Sequence, residues 1–299
     1  NKLKKILIKT KPSNLNSLIL NKVTNGFLET NVEFYLDENM KIDNFIARGE
    51  VRNMQALIYR DQTLKDTSFS FFSDNSDTIV KNIKARTKGI TIKDGSLNIK
   101  KNKNDTKIKS DFKTDLSLKK IELMKYLSDR EELQQIDKNS NLKALLSHNL
   151  DIIFDNTFKI KEFVYKSKGK LNYANFFIRN DKKINFFDFN VQKLTIKDTN
   201  LDIRYSFDNK NYINLSGIYN LNDLDFKKFS FENNFFNKKS NIILEFDYLP
   251  KINLDIIDYE KENGKLAKVQ LKFKKNNDLL NFEKISFSED NNKISVDNL

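Results

Sequence analysis

Residues 201–219 decide the fold. They run Leu201-Asp202-Ile203-Arg204-Tyr205-Ser206-Phe207, then Asp208-Asn209-Lys210-Asn211, then Tyr212-Ile213-Asn214-Leu215-Ser216-Gly217-Ile218-Tyr219. Apolar and polar residues alternate on both sides of a four-residue polar interruption. A period of two sends successive side chains to opposite faces of an extended strand. The interruption supplies Asp and Asn, which favour hairpin turns. The stretch therefore reads as a β-hairpin with one apolar face.

The same pattern extends in both directions. Towards the N-terminus it recurs at Val32-Phe34-Leu36, Phe45-Ala47-Val51, Ile90-Ile92, Leu97-Ile99, Leu150-Ile152-Phe154, Phe158-Ile160, Phe163-Tyr165, Leu171-Tyr173 and Leu194-Ile196. Towards the C-terminus it recurs at Phe229-Phe231, Ile242-Leu244-Phe246, Leu254-Ile256, Val269-Leu271-Phe273, Ile285-Phe287 and Ile294-Val296. Turn residues separate these runs, as at Lys93-Asp94-Gly95, Leu249-Pro250-Lys251 and Glu262-Asn263-Gly264. The count is about 20 strands of ordinary length. The spacing leaves no room for crossover helices, so the sheet is predicted to be an all-β antiparallel meander. Seven Gly and two Pro predict long ladders with simple turns and few bulges.

One interruption is predicted at about 117–147. Leu118, Ile121, Met124 and Leu127 recur at helical spacing, and Ser128-Asp129-Arg130-Glu131 is a capping-box pattern. Leu142, Leu145 and Leu146 are read as a third short turn. This predicts three parts: a β part over 1–116, a short α-helical insert over 117–147, and a second β part over 148–299. An internal echo supports two β parts. Residues 90–100 and 194–204 agree at six of eleven positions, offset by 104 residues. Each copy reads as strand, turn, strand.

Composition removes several chemistries. Without Cys there is no thiol nucleophile, thiolate zinc site or disulfide. One histidine, His148, cannot build a multi-histidine metal site, and the seven Gly form no phosphate-cradling loop. His148 follows Ser147, but adjacency in sequence does not place the hydroxyl on the imidazole. It is expected at the surface or at the end of the insert. The carboxylate pairs Glu131-Glu132 and Asp255/Asp258 read as solvated charge. No enzymatic activity, metal or cofactor is expected.

Charge is 53 Lys+Arg against 41 Asp+Glu, or +12. Lys dominates and interleaves with Asp and Glu on the polar positions, whereas specific nucleic-acid readers favour Arg forks. The Lys are read as a coat on one face, and no specific nucleic-acid partner is expected. Twenty-five Phe without one Trp make a large apolar payload. A gently twisting sheet with such a face must hide it from water, and can curl into an open groove that holds something apolar. No run of 18 apolar residues exists, so no membrane-spanning helix is predicted. The absent initiator Met, and an alternating run that is still going at Ile294-Val296, read as a piece of a longer chain.

The meander, the Ile90-x-Ile-x-Asp-Gly-x-Leu-x-Ile99 pattern, Phe45-Ile-Ala-Arg-Gly-Glu-Val-Arg52, Ser167-Lys-Gly-Lys-Leu-Asn-Tyr173 and the short helical stretch carry a resemblance. The chain resembles the AsmA-like repeating β-groove proteins, in particular the TamB/YhdP type, over about residues 28–299. The resemblance implies an elongated groove with an apolar lining. It also implies a periplasmic protein of Gram-negative bacteria, anchored to the inner membrane by a segment outside this chain. Its implied task is to carry phospholipid towards the outer membrane, with acyl chains and the two membranes or their proteins as partners. It brings no catalytic residues. The residues nominated to line the groove are Leu201, Ile203, Tyr205, Ile213, Leu215, Ile242, Leu244, Phe246, Leu271 and Phe273. Two other readings share the alternation: an outer-membrane β-barrel, and a surface or scaffold β protein binding polysaccharide or protein.

Overall fold

A computed structural model of the chain describes residues 19–59, 62–122, 137–177, 191–208, 210–254, 259–276, 279–289 and 292–297. The strands of the N-terminal part are β1 (Val23–Leu36), β2 (Ile42–Tyr59), β3 (Gln62–Ser73), β4 (Asp77–Thr87), β5 (Ile90–Lys101) and β6 (Asp105–Lys119). Next come β7 (Asn141–Asp155), β8 (Ile160–Phe177), β9 (Lys193–Ser206), β10 (Asn211–Leu221), β11 (Lys227–Phe236) and β12 (Lys239–Tyr248). Last are β13 (Ile252–Leu254), β14 (Tyr259–Lys261), β15 (Ala267–Asn276), β16 (Leu279–Glu289) and β17 (Asn292–Asp297). Fifteen strands form one sheet in sequence order, and β13 and β14 pair apart as a two-stranded hairpin. β1 and β17 are the sheet's two edges, so it is an open antiparallel meander and not a closed barrel. The barrel reading therefore does not hold for the described sheet.

Two compact units divide the chain: Asn1–Leu116 with Ser147–Val164, and Ser117–Leu146 with Tyr165–Leu299. The long strands β6, β7 and β8 contribute to both. In the first unit, directly opposed residues form cross-strand rows. One row is Thr30, Gly49, Phe71, Val80, Leu97 and Ser110, and another is Val32, Ala47, Ser73, Thr78, Ile99 and Ile108. Opposed residues share a face, so each row is a stripe on one side of the sheet. These stripes mix Phe, Val and Ile with Ser, Thr and Gly. The buried apolar side chains among the described residues of this unit are Ala56 and Ala85.

Turns rely on Asp. Asp37, Asp74, Asp155 and Asp208 each stand just before or in the loop of a hairpin and accept backbone N–H groups two residues on, at 2.8 to 3.1 Å. This Asx-turn geometry satisfies backbone donors that the turn would leave open. The β11–β12 turn instead uses Asn237 and Lys238 with φ of 45° and 64°, the left-handed pair expected of a two-residue hairpin loop.

The ladders are not uninterrupted, which corrects the expectation drawn from few Gly and Pro. Register shifts break β2, β3, β4, β5 and β9. Asn53, Asp66, Asn82 and Asp198 lie within strands at φ of 50°, 50°, 56° and 48°. One kind of bulge puts a residue in the left-handed region, and Asn and Asp tolerate it better than other non-Gly residues. Here they stand where Gly would be looked for.

The repeated segments 90–100 and 194–204 follow from this. Each lies within one continuous strand, β5 or β9, and Lys93-Asp94-Gly95 is a bulge and not a turn. In both copies an exposed Lys-Asp pair precedes a buried residue, Gly95 or Thr199.

The helical insert is narrower than 117–147. β6 runs to Lys119 and β7 starts at Asn141, so Leu118, Leu142, Leu145 and Leu146 are strand residues. A helical turn covers 120–122. Met124, Leu127, the Ser128–Glu131 capping pattern and the carboxylate pairs Glu131/Glu132 and Asp255/Asp258 lie outside the described residues.

Candidate ligand-binding face

Every nominated lining residue falls in the second unit, and the registers place all ten on one face. Leu201 opposes Leu215 and Ile203 opposes Ile213. Leu215 opposes Phe231, which opposes Leu244. Leu244 opposes Leu271, and Ile242 opposes Phe273. Phe246 and Tyr205 belong to the same face by the two-residue period. Tyr205 stacks on Phe235 of β11, with ring centroids 6.2 Å apart.

The central row is therefore Leu201, Leu215, Phe231, Leu244, Leu271, Ile285 and Val296, one residue from each of seven consecutive strands. A neighbouring row is Phe229, Phe246, Val269, Phe287 and Ile294. Sequence reading nominated no residue of β11, β16 or β17, although Phe229, Phe231, Ile285 and Phe287 carry the same alternation. Nine of the ten nominated residues are half-buried, and Tyr205 is exposed. Away from Phe246 and Leu271, which pack against the cluster around Ile252, they shield one another sideways, as neighbours in a single layer do. A third row, on the other side of the central one, is Ile203, Ile213, Asn233, Ile242 and Phe273, and there the polar Asn233 stands between Ile213 and Ile242.

The opposite face is polar and ion-paired. Lys168 reaches Asp202 at 2.9 Å, Lys170 reaches Asp198 at 2.7 Å, and Lys284 lies 3.8 Å from Asp297. Hydrogen bonding to Asp202 raises the Lys168 ammonium pKa, and bonding to Lys170 lowers that of the Asp198 carboxyl. Exposed pairs of this kind are screened by water and contribute little to stability. Their larger effect is to make the two faces chemically unlike.

A bulge at Asp198 aligns this face. The Thr199 hydroxyl donates to the Lys197 carbonyl at 2.9 Å, and Thr199 is fully buried. Gly217 lies against it, where an added Cβ would stand 2.7 Å from the Thr199 Cα. No side chain fits that approach, so Gly217 is required by contact with backbone.

One end of the face is covered. The chain leaves the sheet after Tyr248, forms the β13–β14 hairpin, and returns at Ala267. Ile252 is fully buried against Tyr248, Val269 and Phe287, with Leu221, Phe246, Leu271 and Ile285 around them. Lys261 is fully buried too, and its Nζ donates to the carbonyls of Leu249, Pro250 and Glu262 at 2.7, 2.9 and 3.0 Å. Three acceptors need three N–H donors, so this lysine is an ammonium. Burial pushes its pKa down, while the Glu289 carboxylate pushes it up. Tyr259 donates to Glu289 at 2.9 Å, and its phenol is pushed up to about 12, mostly by burial. Tyr219, Phe229, Phe246 and Tyr248 form an edge-to-face aromatic chain beside the hairpin, each contact 6.1 Å between centroids. The Tyr219 hydroxyl donates to the Asp247 carbonyl at 2.7 Å, and burial raises its pKa.

His148 belongs to the first unit and is not an insert-end residue. It sits within β7, half-buried, and its ring stacks on Phe112 with centroids 4.5 Å apart. Its Nε2 is 2.7 Å from the Thr114 hydroxyl, and burial lowers its pKa. The helical reading of 142–146 hid this, because it ended the insert just before the histidine. Among the described residues no group of three acidic or histidine side chains could hold a metal ion, and no helix is long and apolar enough to cross a membrane.

Fold and face together define an open, all-β, two-faced sheet. No family model matches the chain, and neither a curated protein nor a solved structure does.

Proposed function

We propose that the chain is a non-enzymatic segment of a lipid-transfer protein of the AsmA-like repeating β-groove kind. In this reading it carries phospholipid across the periplasm between inner and outer membranes. The observation that carries the reading is the unbroken apolar row over seven strands, half-exposed on one face while the other face is ion-paired. Acyl chains laid along it gain about 0.8 kcal/mol per buried CH₂. Successive rows present similar Leu, Ile and Phe side chains, so neighbouring positions are close in energy and a chain can slide. Headgroups stay in water, where exposed Lys can meet phosphate.

Native mass spectrometry after gentle purification tests this. Co-purifying phospholipid is expected. Leu215→Asp and Leu244→Asp each place a carboxylate in the central row and should lower bound lipid at least tenfold, with far-UV circular dichroism unchanged. Normal lipid loading by these folded variants would overturn the reading, as would a clean apo mass accompanied by polysaccharide binding.

A further inference from the structure

The β13–β14 hairpin already occupies part of the apolar face, and its mode of attachment says what it does there. Ile252 presses a branched aliphatic group onto Tyr248, Val269 and Phe287. Those residues lie in or next to the row of Phe229 and Phe246, which continues as half-exposed surface on β11 and β12. The hairpin thus fills, with the chain's own side chain, a place chemically equivalent to the uncovered rows beside it.

Two further features decide between a movable flap and a fixed block. The Lys261 ammonium is spent on three carbonyls of the segments that enter and leave the hairpin. Lifting the hairpin would leave that buried charge and those carbonyls to find new partners. The Gly264 N–H also donates to the Leu249 carbonyl at 3.1 Å, tying the two ends together. On the far side, Tyr259 is bonded to Glu289 at the end of β16. The hairpin is fastened at its base and to the sheet.

We propose that this hairpin is a fixed stop, which ends the acyl-binding face at Tyr248, Val269 and Phe287 and leaves the face open only away from it. The inference rests on the lipid reading given above. It assigns Ile252 and Lys261 to setting where an acyl chain halts, without contact with a headgroup.

The chain has no Trp, so one introduced Trp reports one place. Phe231→Trp marks the uncovered row, and Phe287→Trp and Tyr248→Trp mark the covered end. The probe is vesicles of phosphatidylethanolamine and phosphatidylglycerol whose acyl chains carry bromine, a contact quencher. Quenching should be at least fivefold stronger for F231W than for F287W or Y248W. Adding Ile252→Ser should raise quenching of the covered probes towards that of F231W. If F287W does not fold, Y248W carries the comparison. Equal quenching at covered and uncovered positions in the unaltered hairpin would overturn the stop while leaving the lipid reading intact. Absence of quenching at F231W would overturn the lipid reading, and the stop with it.

Discussion

Both units are built of antiparallel ladders and differ in what they bury. In the first, the buried apolar side chains among the described residues are alanines, Ala56 and Ala85. Its edge strand β1 leaves Phe34 61% exposed and Leu36 49% exposed. In the second, Tyr248, Ile252, Val269 and Phe287 are buried at 3%, 0%, 1% and 7% exposure. Backbone pairing is antiparallel in both, so pairing does not cause the difference. The β13–β14 hairpin does, because it lays Ile252 on Tyr248, Val269 and Phe287 and supplies the second layer that a sheet needs for a core. An alternating strand makes a core only when something lies on it.

The comparison breaks most visibly at Ile252. Ile252→Ala removes buried methylenes from under the hairpin, where two layers meet, and should lower unfolding free energy by about 3 kcal/mol. Phe34→Ala removes a larger side chain from a face in water, and should cost under about 1 kcal/mol. Urea midpoints measure both. Equal losses would mean that the units do not differ in the way their burial says.

Next in size is Lys261→Met. The replacement keeps the length and loses all three donors. The Pro250 carbonyl is then left buried without its donor, while the Leu249 carbonyl keeps the Gly264 N–H and the exposed Glu262 can turn to water, so the loss is about 2 kcal/mol. Proteolysis within the hairpin should rise in the variant before global unfolding does. A variant as stable and as resistant as the parent would show that the ammonium is not what fastens the hairpin.

What the sequence made legible follows the same division. Alternation in Leu201–Phe207 and Ile213–Tyr219 predicts both strands and their shared face, because a period of two has one geometric meaning. Its limit shows at Leu118 and Leu142–Leu146. Leucines three and four apart satisfy a helix, yet they also occur by chance in a strand whose polar face carries an apolar residue. The bulges at Asn53, Asp66, Asn82 and Asp198 were hidden because Asn and Asp are ordinary polar-face residues until their φ is known. Residues 90–100 and 194–204 repeat a bulged strand for this reason, and not a hairpin. Of the β13–β14 hairpin only one strand, at Leu254-Ile256, was legible between the turns at Leu249-Pro250-Lys251 and Glu262-Asn263-Gly264; β13 is Ile252–Leu254, and Ile256 lies outside the described residues. That the hairpin leaves the sheet was not legible, because a three-residue strand carries too few alternations to state which layer it joins.

A pH test sharpens the first unit. Burial lowers the pKa of His148, so the folded protein binds that proton less readily than the unfolded chain. The unfolded chain gains it as pH falls through about 6.5, and stability drops over that interval until the folded pKa is passed. His148→Phe keeps the stack on Phe112 and removes the titration. The parent's urea midpoint should fall between pH 7.5 and 5.5, and the variant's should fall less. Parallel falls would place the titration elsewhere.

The smallest effect should be common to both units, since both build turns from Asp. Side-chain and backbone N–H or O–H donors lower the pKa of Asp74, Asp155 and Asp208. The leading donors are the Asp77 amide for Asp74 and the Thr157 and Ser206 hydroxyls for Asp155 and Asp208. A carboxylate with a depressed folded pKa stabilises the fold above its unfolded pKa, about 3.9 for Asp. That contribution is lost as pH falls from there through the folded value. Asp155→Ala at the β7–β8 turn and Asp208→Ala at the β9–β10 turn should each lower the melting temperature slightly at pH 6, and by less at pH 2. Amide exchange at Thr157 and Lys159, whose N–H groups Asp155 accepts at 2.8 and 3.0 Å, should quicken in Asp155→Ala and leave the β9–β10 turn unchanged. If a variant of one unit's turn altered exchange in the other, the two would open together. Their difference in burial would then not be a difference in stability.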